Sequence, residues 1–114
     1  RALINSSVPL RPPTDPSREK MIRAFRWDRR ARAELTGVPA GTYAVYLYIW
    51  EETRPETITI RLNGQVVRSH YRTGPRGRWE RLGPWITQVR QGHIVISATG
   101  GAANFSGIEV WRRP

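Results

Sequence analysis

The sequence predicts an all-β domain, an antiparallel β-sandwich, on three observations. Short segments of alternating apolar residues recur along the chain with Gly or Pro between them, and no window has a sustained helical period. The Asn63-Gly64 dipeptide lies between two such segments and favours a two-residue hairpin turn. With 114 residues, the chain is long enough to bury one core and too short for two.

Proline dominates the start of the chain. Pro9, Pro12, Pro13 and Pro16 cannot donate to a β-ladder, so we predict an extended arm over residues 1–19, with at most a short strand at residues 2–4. The sandwich domain is then expected over residues 20–114. Its first strands are predicted at residues 21–27 and 31–35, with a turn at residues 28–30.

Residues 43–50 form the strongest predicted strand. Odd-numbered positions from Tyr43 to Ile49 are apolar and share one face, whereas even-numbered positions from Tyr46 to Trp50 are aromatic and share the other. Because both faces are apolar, we expect a central strand that is covered on each side.

Further strands are predicted at residues 57–62, 65–67, 79–82, 85–89, 93–98 and 105–112. We expect a type I′ turn at Asn63-Gly64, and Gly83-Pro84 is expected to turn the chain between two separate strands. A glycine-rich basic loop runs from Tyr71 to Arg78.

The net charge of +10 comes almost entirely from arginine, since only one of the 19 cationic residues is Lys. This charge favours anionic partners, and the planar guanidinium suits carboxylate, sulfate or phosphate. A GC-rich genome or growth at high temperature would produce the same bias. The arginines form two groups along the chain, namely Arg23, Arg26, Arg29, Arg30 and Arg32, and Arg68, Arg72, Arg76, Arg78 and Arg81.

The composition argues against an enzyme. There are two His, two Asp and seven Glu, no known nucleophile or phosphate-binding motif, and no Cys for thiolate chemistry or disulfides. The longest apolar run, residues 43–50, is far short of the roughly 20 residues that span a bilayer. We therefore expect no catalysis and no membrane insertion by this chain.

Three segments resemble malectin and malectin-like carbohydrate-binding domains. They are Gly41 to Glu52, with a G-x-Y-x-V-x-L strand and a following Glu, the hairpin Leu62 to Val67, and the closing strand Ala103 to Val110, which contains G-I-E-V. The resemblance covers roughly residues 20–111. It implies a galactose-binding-like jelly roll of two antiparallel sheets, with ligands taken by loops at one end. The start of the chain departs from the family, which often has a glycine-rich opening there.

Aromatic rings stack on the C–H faces of sugars, while Asn, Glu and Arg hydrogen-bond the hydroxyls. The candidate ligand-binding residues are Trp50, Glu51, Tyr71, Arg76, Trp79 and Asn104. This site requires Trp50 or Tyr71 to be exposed, whereas Trp85 and Trp111 are expected to pack in the core or at an edge. The family resemblance admits a structural calcium ion, but we do not favour one because no Asp-rich loop is present.

These observations predict a non-catalytic module that binds an acidic or neutral glycan, as part of a longer secreted, periplasmic or cell-surface protein of a bacterium. The alternative is a structural or protein-interaction module in a larger assembly, with an acidic protein surface as its partner. Nucleic-acid binding is disfavoured because no RNP-like run occurs and the resemblance is not to an OB fold or an RRM.

Overall fold

The computed structural model describes the backbone of residues 2–3, 10, 15–17, 21, 25–28, 31–51 and 53–114. Side chains are described for residues 10, 15–17, 21, 31–51 and 53–114.

The described residues form nine strands: β1 (Ala2–Leu3), β2 (Phe25–Asp28), β3 (Arg32–Thr36), β4 (Gly41–Trp50), β5 (Thr57–Leu62), β6 (Gln65–Arg72), β7 (Trp79–Val89), β8 (His93–Thr99) and β9 (Ala103–Arg113). A five-stranded sheet has the order β1-β2-β9-β4-β7, and a four-stranded sheet has the order β3-β8-β5-β6. Every pairing is antiparallel. The predicted all-β antiparallel sandwich is confirmed.

Strand β4 is central, as predicted, because it pairs with β7 on one side and β9 on the other. Its odd-numbered residues from Tyr43 to Ile49 are buried in the core between the two sheets. Its even-numbered residues face away from that core, where Tyr48 and Trp50 form a second buried cluster with Leu10. Both faces of β4 are therefore covered, and we call the second the outer face of the five-stranded sheet.

The β5–β6 connection is the predicted two-residue hairpin. Leu62 pairs with Gln65, and Asn63 and Gly64 have φ values of 47° and 83°, as a type I′ turn requires. The Asn63 side chain also fixes the turn to β8, because its Oδ1 accepts a hydrogen bond of 2.8 Å from the Val95 amide. The turn residue thus joins three strands of one sheet.

Three predicted boundaries are wrong. The strand expected over residues 21–27 is β2, Phe25–Asp28, which excludes Met21 and includes Asp28, a residue expected in the following turn. Residues 79–89 form the single strand β7 instead of two strands, since Gly83-Pro84 lies in an irregularity of the pairing with β4, between Val45 and Leu47. A bulge accommodates both the missing proline donor and the φ of 108° at Gly83. Strand β6 also continues to Arg72, past the expected start of the basic loop at Tyr71.

The predicted arm over residues 1–19 and the turn at residues 28–30 lie largely outside the described residues. Of the arm, Leu10 is buried against Tyr48 and Trp50, and Met21, just beyond it, packs on the same cluster with Trp79. This part of the N-terminal segment contributes to a buried cluster on the outer face.

Gly83 and Gly37 provide a matched test of the bulge, because both have positive φ and only Gly83 is crowded. A Cβ on Gly83 would lie 2.5 Å from the Val45 carbonyl oxygen, whereas a Cβ on Gly37 would meet nothing within 4 Å. We expect Gly37→Ala to cost about 1 kcal/mol from backbone conformation alone, and Gly83→Ala to cost a further 1–3 kcal/mol, roughly, from overpacking. Urea unfolding of the two variants measures the difference, and equal losses would contradict the close contact.

Candidate functional site

Three loops meet at one end of the sandwich, which we call the loop end. They connect β4 to β5 (residues 51–56), β6 to β7 (residues 73–78) and β8 to β9 (residues 100–102). The six predicted ligand-binding residues all lie in these loops or within two residues of them. The structure therefore gathers them at one end, as the jelly-roll resemblance implies.

The Glu51 side chain, 3% exposed, holds the loop end together from inside. One carboxylate oxygen accepts hydrogen bonds from the amide and hydroxyl of Thr53, at 3.0 and 3.3 Å. The other accepts a 2.6 Å bond from the hydroxyl of Thr73, which is also buried. A buried carboxylate requires such donors, so Glu51 has a structural role here.

The Thr73 hydroxyl and Glu56 extend this network to the third loop. The hydroxyl donates its proton to Glu51 and accepts a 2.8 Å bond from the Glu56 amide. The Glu56 carboxylate in turn accepts a 2.8 Å bond from the amide of Ala102, beside Gly101. All three loops are thereby joined by hydrogen bonds.

Backbone contacts reinforce the first two loops. The Glu51 amide donates to the Arg78 carbonyl at 2.8 Å, and the Gly77 amide donates to the Glu51 carbonyl at 2.6 Å. The Trp50 indole adds a 3.2 Å bond to the Gly77 carbonyl. The loop between β6 and β7 is therefore fixed to the end of β4 over its last residues.

The predicted exposure of Trp50 and Tyr71 is wrong. Trp50 is 0% exposed, because its outward face is covered by the cluster that includes Leu10. Tyr71 is 4% exposed and belongs to the core between the sheets, with its hydroxyl donating a 2.7 Å hydrogen bond to Glu80. Neither ring offers a face to a sugar, so the aromatic site expected at these two residues is not formed.

The other predicted residues lie in different layers. Trp79 is half-buried on the outer face, where its ring stacks on Tyr48 with centroids 6.2 Å apart. Asn104, also half-buried, alternates along β9 with the core residues Ala103 and Phe105 and so faces away from the core. Arg76 is exposed in the β6–β7 loop.

Exposed arginines form the surface of the loop end. Arg54, Arg72 and Arg76 are exposed, and we call them the arginine rim. Arg78 supports the rim from below, since its guanidinium donates to the Arg72 carbonyl at 3.2 Å and to Glu80 at 2.9 Å. The rim thus presents cationic forks on loops whose shape is set by buried contacts.

Trp111 is a third aromatic residue whose predicted environment is wrong. Expected in the core or at an edge, it is 61% exposed on the outer face of the five-stranded sheet. Its neighbours Ile108 and Val110 pack against the core, and alternation along the strand leaves Glu109 and Trp111 on opposite sides of the sheet from Val110. The alternation of Ile108, Glu109, Val110 and Trp111 in the sequence already indicated that Trp111 lies on the face opposite Ile108 and Val110.

Among residues whose side chains are described, no group of three or more His, Asp or Glu could hold a metal ion. In that same part of the chain, no helix has the length and apolar character needed to cross a membrane.

Solved structures share this architecture. A segment of Bacteroides uniformis β-glucuronidase 2, in a complex with cyclophellitol-6-carboxylate aziridine, matches 97% of the chain at a TM-score of 0.76 and 19% identity. A family 35 carbohydrate-binding module from Clostridium thermocellum matches 74% of it at 0.51 and 22% identity. A family 35 module from Paenibacillus barcinonensis matches 98% at 0.53 and 14% identity. The chain shares their jelly-roll fold.

At these identities the likeness concerns the fold. The chain spans 13% of the glucuronidase, 70% of the Clostridium module and 89% of the Paenibacillus module. No protein-family model and no curated protein matches it, and a specific relationship to malectin is not shown.

Thr73 and Thr53 both donate to Glu51, which allows a paired test of the buried network. Thr73→Val removes a buried donor and should cost about 1–3 kcal/mol of unfolding free energy, because the carboxylate loses a partner that water cannot replace. Thr53→Val removes an exposed hydroxyl and should stay within about 0.5 kcal/mol. Chemical denaturation measures both, and similar effects would contradict a buried network.

Burial raises the pKa of the Tyr71 phenol well above its usual range, and the hydrogen bond and negative charge of Glu80 raise it further. The unfolded state therefore loses this proton first, at a pH of about 10, and folding stability falls as the pH rises above that value. Tyr71→Phe should reduce this alkaline loss, whereas Tyr46→Phe, which leaves the Tyr71–Glu80 pair in place, should keep it. Thermal unfolding between pH 8 and 11.5, roughly, compares them, and an unchanged alkaline slope in Tyr71→Phe would argue against the assignment.

Proposed function

We propose that the chain is a non-catalytic carbohydrate-binding module that takes an acidic glycan at the loop end through the arginine rim. The observation that carries this proposal is the placement of Arg54 and Arg76 on loops, and of Arg72 at the end of β6, where buried and half-buried hydrogen bonds join the loops. Loops that are ordered before binding reduce the entropy lost on binding, so exposed side chains on them suit recognition.

Carboxylate chemistry supports an acidic sugar. A guanidinium binds a carboxylate through two parallel N–H···O bonds, and the net charge of +10 attracts an anionic polymer from a distance. Among the acidic side chains near the rim that the structure describes, Glu56 is engaged by the Ala102 amide and, at 4.0 Å, by Arg54 of the rim, and Glu80 is engaged by Tyr71 and Arg78. One segment with the same fold belongs to a β-glucuronidase, an enzyme whose name refers to an acidic sugar.

The described carboxylates support a binding role instead of catalysis. Glycoside hydrolysis needs two carboxyl groups facing each other across a cleft. The Glu side chains that the structure describes are held by neighbours: Glu34 by Arg32, Glu51 by Thr53 and Thr73, Glu56 by Ala102, Glu80 by Tyr71 and Arg78, and Glu109 by Arg81, Tyr48 and Trp111. We propose that such a module works within a longer secreted, periplasmic or cell-surface protein, without calcium.

A second candidate is a structural module that packs against other domains of a larger protein. The supporting observation is that the β-glucuronidase segment matches 97% of this chain but makes up only 13% of its own. In that case the rim would contact an acidic protein surface, and no glycan would bind in isolation.

The double variant Arg54→Ala/Arg76→Ala tests the proposed function. It should lower affinity for polygalacturonate by about tenfold or more, because two charge-assisted contacts are lost. Isothermal titration calorimetry would compare it with wild type and with Arg32→Ala, a control that removes an exposed arginine from β3, at the opposite edge of the four-stranded sheet from β6.

A ligand control separates carboxylate recognition from general charge attraction. Fully methyl-esterified pectin has the same sugar backbone with its carboxylates masked, and it should bind the wild type weakly. Equal affinity for the two polymers, or a double variant that binds polygalacturonate as the Arg32→Ala control does, would refute recognition of an acidic glycan by the rim.

A further inference from the structure

The outer face of the five-stranded sheet has a covered half and an open half. Near the loop end, Tyr48 and Trp50 are buried beneath Leu10. Toward the opposite end, Trp111 and Ile86 are 61% and 50% exposed. The open half is therefore an apolar surface at a distance from the arginine rim.

Strand register places the exposed apolar residues in one row. Ala44 of β4 pairs with Trp111 of β9 and with Ile86 of β7, so the three side chains lie side by side on the same face. Strands β9 and β7, which flank β4, are about 10 Å apart, twice the spacing of neighbouring strands. Because the small Ala44 lies between the two large side chains Trp111 and Ile86, the surface has a shallow depression over Ala44.

The Trp111 indole is held in place by a polar network. Its Nε1 donates a 3.2 Å hydrogen bond to Glu109, and Arg81 lies 3.6 Å from the same carboxylate oxygen. The other oxygen accepts a hydrogen bond from the Tyr48 hydroxyl. The Arg81 guanidinium also stacks over the Tyr46 ring, 3.8 Å from its centroid. An exposed ring fixed in this way loses little freedom when it contacts a ligand.

Polar side chains flank the row on both sides. Thr42 pairs with Arg113 and Gln88 in the adjacent row, and Glu109 and Arg81 lie on the other side. A ring with amide, guanidinium and carboxylate groups around it has the chemistry that sugars require, because C–H faces stack on rings while hydroxyls bond to planar polar groups.

The size of the apolar area favours a glycan over a protein. Trp111 and Ile86 together expose on the order of 250 Å² of side chain, against roughly 800 Å² that each partner buries in a stable protein interface. A single polysaccharide chain needs only a narrow platform. Among the charged side chains that the structure describes beside the row, the arginines Arg81 and Arg113 outnumber the acidic residue Glu109.

We propose that this open half, centred on Trp111, Ala44 and Ile86, is a second glycan-binding surface on which one polysaccharide chain lies across β9, β4 and β7. A sugar ring stacks on the Trp111 indole, and Arg113, Gln88 and Glu109 bond its hydroxyls. The proposal rests on the proposed carbohydrate-binding function but uses a different surface from the arginine rim.

Affinity electrophoresis in gels containing soluble polygalacturonate or xylan tests the surface. Trp111→Ala should weaken retardation by roughly three- to tenfold in dissociation constant, the scale of one lost aromatic stacking contact. Trp111→Phe keeps a ring and should bind within about threefold of wild type by the same reasoning. The control Leu35→Ala removes a 40% exposed apolar side chain from the other sheet and should leave binding unchanged.

A second measurement locates the ligand on the indole. Trp111 is the most exposed Trp among those whose side chains are described, so N-bromosuccinimide should oxidise it first. Bound polysaccharide should slow this oxidation, as followed by peptide mass spectrometry. Oxidation at the same rate with and without bound polysaccharide would overturn the proposal.

The variants distinguish the two glycan surfaces. Binding lost in Arg54→Ala/Arg76→Ala but unchanged in Trp111→Ala would overturn this second surface and leave the rim proposal standing. The reverse result would support the second surface and refute the rim. If wild type binds neither polysaccharide, both fail. A wild-type dimer in analytical ultracentrifugation that becomes monomeric in Trp111→Ala would overturn the glycan surface in favour of self-association.

Discussion

The two-sided burial of strand β4 is the constraint on which the other features depend. Its inward residues complete the core between the sheets, and its outward residues Tyr48 and Trp50 anchor the cluster that contains Leu10. Where the strand ends, the Trp50 indole and the Glu51 carboxylate continue into the loop end through hydrogen bonds. One strand therefore determines the core, the covered part of the outer face and the position of the loops.

Much of the fold could be predicted because the signals were local. Alternation identified β4 and β5 with their faces, and Asn63-Gly64 specified its hairpin through its own backbone preferences. The continuity of β7 could not be predicted, because it depends on a close approach of Gly83 to the Val45 carbonyl oxygen, and Val45 lies on a strand distant in sequence. A Gly-Pro pair gives the same local signal in a turn and in a bulge.

The site shows the same division between local and distant information. The sequence placed the six candidate residues at one end, which follows from their positions at strand ends. The apolar pattern on both faces of β4 predicted a cover on this side, but it could not show that the cover reaches Trp50 at the end of the strand, since a strand pattern gives the face of a side chain but not what lies on it. Leu10, forty residues earlier in the chain, belongs to that cover. Trp111 lies on the same face as Trp50 but outside the cluster that contains Leu10, and it is exposed.

The division of labour at the loop end has an evolutionary consequence. The contacts that shape the loops are made by Glu51, Thr73 and backbone groups, whereas Arg54 and Arg76 project from the finished scaffold. Under the proposed function, the residues that bind ligand are therefore separate from those that stabilise the loops. Substitutions in the arginine rim can then accumulate with little loss of stability, so the same framework can accept other binding residues.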